Sequence, residues 1–252
     1  MSEVLKARHC GTQGPRVALL HGWGWDGRLL APVAQALGSH CRVVQPDLPG
    51  YGLNLARRCD GFGDCVDQLV QAVPDAEVLV GWSLGGLLAI AWAARAPVCR
   101  LVLIGASPRF MQGADWPCGM TGERFDAFAD GLEQDPRRTR SRFAALAALG
   151  DSDARGVRGA MAALMDDVPP AVPALKQGLD WLRKQDLRDT LRSLARPVCC
   201  LHGKQDHVID IGAAHAAATD VAAHWMAVPD AAHLPWRNRD LSGLCAWVCA
   251  DD

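Results

Sequence analysis

One pentapeptide does most to restrict what this chain can become. Gly81-Trp82-Ser83-Leu84-Gly85 sits between the apolar run Val78-Leu79-Val80 and a continuously apolar stretch from Leu84 to Ala94. The first has the length and make-up of a buried strand, and the second those of a buried helix. A strand that turns into a helix within three residues brings two backbones close together, so the positions beside the turn must be small. Glycine at 81 and 85 meets that demand, and Gly86 extends the close contact. Ser83 at the apex is then held in a strained conformation above a helix N-terminus, which favours negative charge on a reacting oxygen. The sequence context makes Ser83 a candidate nucleophile rather than a plain helix cap.

The flanking chain repeats the strand-to-helix theme. Arg16 to His21, Cys41 to Gln45 and Leu101 to Ile104 are short apolar runs, and helix-period residues separate them, including Leu29, Val33 and Leu37, then Val66, Leu69 and Val73. Such strands belong to a parallel sheet covered on both faces. From about residue 109 to 189 the pattern changes to helix signals alone. Phe125, Phe128 and Leu132 share a helical face; Asp135-Pro136 offers a cap and first-turn proline for a helix that Gly150 could end; Ser152 could cap the next. Strand character returns with Val198 to Leu201 and His224 to Val228, and a helix fits Leu241 to Cys249. The expected architecture is an α/β-hydrolase fold, a mostly parallel sheet flanked by helices with an inserted helical cap. Residues 1–108 and 190–252 would form the core, and 109–189 the insertion.

A serine hydroxyl needs a base to react near neutral pH, and the base needs an acid behind it. In this fold they follow the serine in the order acid, then histidine. Asp206 comes just after the strand ending at Leu201, and His233 just after the strand ending at Val228, so both fall at strand C-terminal ends where such sheets assemble their sites. Asp210 is the main rival for the acid. The oxyanion of acyl transfer needs two fixed N–H donors. The N–H of Leu84 supplies one, and the loop His21-Gly22-Trp23-Gly24 turns the N–H of Trp23 inward as the second. His21 is expected to tie that loop down.

The 252 residues carry 26 basic and 28 acidic side chains, a formal charge of −2 that argues against binding nucleic acid or a membrane surface. The N-terminus lacks the apolar core of an export signal, and no apolar run has membrane-spanning length, so a cytoplasmic protein is expected. Its ten cysteines contain no C-x-x-C pair and read as reduced, space-filling thiols. No metal or organic cofactor is expected, and the protein is expected to be monomeric.

Taken together, Leu20-His21-Gly22-Trp23-Gly24, the elbow through Gly86, Arg142-Phe143-Ala144-Ala145-Leu146, Asp115-Trp116-Pro117 and Asp186-Leu187-Arg188 resemble the pimeloyl-[acyl-carrier protein] methyl ester esterases, the carboxylesterases of biotin synthesis. The resemblance implies hydrolysis of a methyl ester on a pimeloyl chain carried by acyl carrier protein, with Ser83, Asp206 and His233 catalytic. It also implies substrate contacts at Trp23, Ser83, Leu84, Phe143, Ala144, Ala145, Leu146, Ala147 and His233. The alanines in that segment are smaller than the family's residues, which implies a wider acyl channel. Between 137 and 158, six arginines face two aspartates, a local +4. Arg138 and Arg142 can share one helical face and Arg155 and Arg158 another, a candidate docking patch for an acidic carrier protein. Two other functions remain open on the residues alone: a general short-chain carboxylesterase, or a non-catalytic ligand receptor on the same scaffold.

Overall fold

A computed structural model describes residues 4–250. Seven strands make one sheet: β1 (Ala7–Cys10), β2 (Arg16–Leu20), β3 (Arg42–Pro46), β4 (Val78–Trp82), β5 (Arg100–Ile104), β6 (Val198–Gly203) and β7 (His224–Val228), in the spatial order β1-β3-β2-β4-β5-β6-β7. All neighbours are parallel except β1, which runs antiparallel to β3 with Ala7 opposite Pro46. The central strands β4, β5 and β6 are buried along their whole length, as their unbroken apolar runs require. The sequence pattern does not predict strand β1. Ala7-Arg8-His9-Cys10 is a half-buried edge with no apolar run, and Arg8 is held by an ion pair to buried Asp47 at 2.7 Å.

Helices α1 (Ala31–Gly38), α2 (Phe62–Ala72) and α3 (Leu84–Ala93) follow β2, β3 and β4. All ten residues of α3 are buried, the signature of a helix enclosed by protein on every side.

Between β5 and β6 the chain forms five helices: α4 (Gly122–Gln134), α5 (Pro136–Ala147), α6 (Ala154–Ala163), α7 (Val172–Lys184) and α8 (Arg188–Ser193). Only isolated bridges, and no named strand, interrupt them among the described residues. Asp135 caps α5 by accepting the Arg138 N–H at 2.9 Å, and Gly150 turns the chain beyond it at φ +84°. At α6 the cap is Asp153, which accepts the Gly156 N–H at 3.0 Å, and not Ser152. The Ser152 hydroxyl is drawn away to Asp230 at 2.9 Å. Helix α8 crosses the expected boundary at 189–190 and packs on α3, burying Leu191. The two ends of the insertion are pinned together. Arg109 and Arg188 converge on Asp115 and Asp186 at 2.7–3.1 Å, and Arg188 lies over the Trp116 ring.

After β6 come α9 (Ile211–Asp220) and, beyond β7, α10 (Ser242–Val248). Among the described residues no helix is long and apolar enough to cross a membrane, and no group of His, Cys, Asp or Glu could hold a metal ion.

Candidate active site

Ser83 occupies the single residue between β4 and α3, at φ +54° and ψ −119°. A non-glycine residue rarely adopts a positive φ, and holding it there costs on the order of 1–3 kcal/mol, which the surrounding packing must supply. The Ser83 N–H donates to the Ile104 carbonyl at 3.0 Å, tying the turn to β5. Glycine is enforced at 85, where a Cβ would stand 2.5 Å from the Leu20 carbonyl oxygen. The strained serine is a consequence of this close packing.

Asp206 and His233 meet from the loops after β6 and β7. His233 Nδ1 lies 2.8 Å from Asp206 Oδ2, with both side chains fully buried. Asp206 Oδ1 accepts the N–H groups of Val208 at 2.8 Å and Ile209 at 3.0 Å. Burial alone would raise the Asp206 pKa; neighbouring His233, the bond from it and the Ile209 N–H outweigh it and hold the carboxyl below its ordinary range. Its rival Asp210 is turned elsewhere, capping α9 through the Gly212 N–H at 2.7 Å. The buried Nε2 of His233 has no protein partner among the described residues. The imidazole therefore has one nitrogen committed to a carboxylate and the other open.

A second histidine borders the same carboxylate. His202, ending β6, has Nε2 at 3.0 Å from the Ile209 carbonyl and 3.5 Å from Asp206 Oδ2. Burial pushes its pKa down, so it serves as a neutral donor. His202 precedes the acid in the chain, and its position there gives no sign that it lies beside the carboxylate.

The loop after β2 closes over the serine. A Cβ on Gly22 would come 3.0 Å from Ser83 Cβ, so glycine is what lets the loop approach. His21 anchors it: Nδ1 donates to the Gly22 carbonyl and Nε2 accepts the Leu48 N–H, both at 2.9 Å. Those two bonds require a neutral ring, and burial pushes the His21 pKa down accordingly. No protein acceptor among the described residues takes the N–H of Trp23 or Leu84. The Trp23 indole donates to Leu175 O at 2.8 Å, and Arg140 donates to Gly24 O at 2.8 Å, so the insertion grips this loop from above.

Above Ser83 lies a cavity of about 280 Å³. Trp23, Phe125, Phe128, Phe143, Leu146 and Leu179 make up much of its wall. Of the five residues 143–147 proposed to contact substrate, Phe143 and Leu146 line it. Ala144 and Ala147 are buried in packing, and Ala145 faces outward, because a helix offers a ligand one face and not a run. The spacing places Phe125 and Phe128 on one helical face; periodicity alone cannot separate a core face from a cavity wall.

The insertion also holds the histidine loop. Asp151, its side chain fully buried, accepts the Ala232 N–H at 2.8 Å, and Ala147 O accepts the His233 N–H at 3.1 Å. Ser152 N–H donates to Asp230 O at 2.9 Å. Arg239 reaches Asp151 from outside at 3.3 Å.

The six arginines between 137 and 158 divide into two groups. Arg140 is buried and Arg137 is paired with Asp166 at 2.7 Å. Arg138, Arg142, Arg155 and Arg158 are exposed on α5 and α6 with no ion pair among the described residues.

Against known families, the model for the alpha/beta hydrolase family matches residues 17–241. The chain belongs to that family. Within the alpha/beta hydrolases it is 40% identical over 207 residues to a pimeloyl-[acyl-carrier protein] methyl ester esterase of Xanthomonas campestris pv. campestris, covering 81% of this chain and 82% of the relative. It is 33% identical over 235 residues to the biotin biosynthesis bifunctional protein BioHC of Teredinibacter turnerae, covering 87% of this chain and 41% of that longer protein. An esterase from Exiguobacterium antarcticum has the same hydrolase fold, with a TM-score of 0.84 and 23% identity over 98% of this chain and 96% of that one.

Proposed function

We propose that this alpha/beta hydrolase is a serine carboxylesterase that converts pimeloyl-[acyl-carrier protein] methyl ester to pimeloyl-[acyl-carrier protein] and methanol. The chemistry rests on one observation. His233 is buried, gives Nδ1 to Asp206 and leaves Nε2 unpartnered, in the same site as a strained serine. The substrate rests on the 40% identity to an esterase of that name.

Ser83 Oγ attacks the ester carbonyl while His233 Nε2 takes its proton. The N–H groups of Trp23 and Leu84 hold the oxyanion. The C–OCH3 bond then breaks, and methanol leaves with the proton from Nε2. Water attacks the acyl-serine by the reverse roles and frees a carboxylate. Asp206 keeps the proton of neutral His233 on Nδ1 and stabilises the imidazolium. The apolar wall formed by Phe128, Phe143 and Leu146 receives the methylene chain. Residues 109–189 act as a cap that both roofs the cavity and, through Arg138, Arg142, Arg155 and Arg158, docks the acidic carrier.

Mass spectrometry of pimeloyl-carrier protein methyl ester after incubation with the enzyme tests both halves of this reading, with Ser83→Ala as the control. Loss of the methyl group with the thioester intact is expected. An unchanged carrier ester beside rapid turnover of small esters would leave a general carboxylesterase and remove the carrier substrate.

A further inference from the structure

Apart from the Trp23 indole, whose N–H is given to Leu175 O, the cavity above Ser83 has two polar side chains among the described residues that line it. One is Ser83 itself, buried at its base, and the other is Arg124, exposed on the first turn of α4. A guanidinium at the rim of an apolar chamber serves no packing need that an aliphatic residue would not serve better. Nor is it spent on a neighbour, for Arg124 has no ion pair among the described residues. Asp126, two positions on, is committed to Arg183, which itself lies over the Phe125 ring. Arg124, Met120 and Val208 also border an adjoining, more polar groove that contains Gln112, His207 and Asp210. Arg124 thus stands where the apolar chamber opens toward a wetter channel.

This arrangement is complementary to a particular kind of molecule: an apolar chain with an ester at one end, at the serine, and an anion beyond the other. We propose that Arg124 is a specificity-determining residue that recognises a carboxylate or phosphate on the substrate, distal to the scissile ester. The proposal rests on the esterase reading above and adds a charge requirement to it. Guanidinium binds both oxyanions through paired N–H donors, so the same residue fits the free carboxylate of a half-ester or the phosphodiester of a thioester-linked carrier arm.

The test compares wild type, Arg124→Gln and Arg124→Lys on three substrates with one acyl chain. These are neutral dimethyl pimelate, the monomethyl half-ester, and the methyl ester carried as a 4′-phosphopantetheine thioester. For Arg124→Gln, the ratio of kcat/KM on an anionic substrate to kcat/KM on the neutral diester should fall about tenfold, the worth of one charge-assisted contact. Arg124→Lys should recover part of that ratio through its retained charge. A loss confined to the half-ester identifies the carboxylate as the group recognised, and a loss confined to the thioester identifies the phosphate of the carrier arm. An unchanged ratio on both anionic substrates overturns the role of Arg124 while leaving the esterase reading in place. Failure of the wild-type protein to hydrolyse any of the three overturns the esterase reading, and the Arg124 proposal falls with it.

Discussion

A serine held at φ +54° and an imidazole with a single open nitrogen make different demands on their neighbours, and each can be tested alone. Ser83→Ala removes the only atom proposed to bond covalently to substrate, so labelling of the protein by a fluorophosphonate should disappear; label retained on another residue would refute the assignment. Asp206→Asn preserves shape but favours the wrong imidazole tautomer, and kcat should drop on the order of 10⁴-fold, as it does in other triads of this kind. His21 and His202 bear on stability instead. Both are buried, and burial pushes both pKa values below the ordinary 6.5. The unfolded chain therefore binds protons that the folded chain refuses once the pH falls through about 6.5. Stability must decline from there downward, and the depressed carboxyl of Asp206 adds a further loss below its ordinary 3.8. Thermal unfolding followed from pH 7.5 to pH 5 should show Tm falling with acid. His202→Gln, which keeps a donor for Ile209 O, should flatten that fall; an identical slope in the variant would mean that His202 does not titrate as described.

At the scale of elements, the loop joining α5 to α6 is what fastens the insertion to the chemistry. Asp151 holds the N–H of Ala232, one residue before His233, and α5 ends by giving the Ala147 carbonyl to His233 itself. Asp151→Ala leaves a buried N–H unsatisfied and takes one of its two carboxylate partners from Arg239, so it should cost about 1–3 kcal/mol of stability. It should also lower kcat on a small ester while leaving KM much less changed, because the histidine loop loosens and the cavity wall does not. An equal effect on the two constants would make Asp151 a mere packing residue. None of this could be seen in the chain. The elbow was legible because G-x-S-x-G between apolar segments has few other uses, and the order of Asp206 and His233 followed from strand ends. The edge strand β1 was not, since its pattern is short and polar, and its place comes from pairing with β3. The cap of α6 was misread by one residue because Ser152 and Asp153 are both good caps, and only the distant Asp230 decides between them. Asp151 and His202 carry no motif; contacts made across the fold place each beside the histidine loop or the acid.

Over the whole molecule, charge is distributed more sharply than the net −2 suggests. Acidic partners take up most basic side chains of the insertion's base and α7, as at Arg109, Arg183 and Arg188. The exposed guanidiniums of α5 and α6 at 138, 142, 155 and 158 have no such partner among the described residues. That pattern is costly to explain as a solvated surface alone, since unpaired like charges on adjoining helices repel one another. It is what an acidic macromolecular partner would offset. Such attraction acts over a Debye length of about 8 Å at physiological salt and is screened beyond it. The carrier-bound ester should therefore lose kcat/KM steadily as salt is raised, while a small neutral ester shows little dependence. Reversing Arg138 and Arg142 to Glu should raise KM for the carrier ester and weaken its salt dependence, with small-ester turnover changed far less. These residues face away from the cavity wall, so a variant that harms both substrates equally would place the damage in folding or in the active site. A carrier ester insensitive to both salt and charge reversal would move the docking surface elsewhere, and Arg124, exposed at the rim of the cavity, would then be a cation placed to meet the partner's arm.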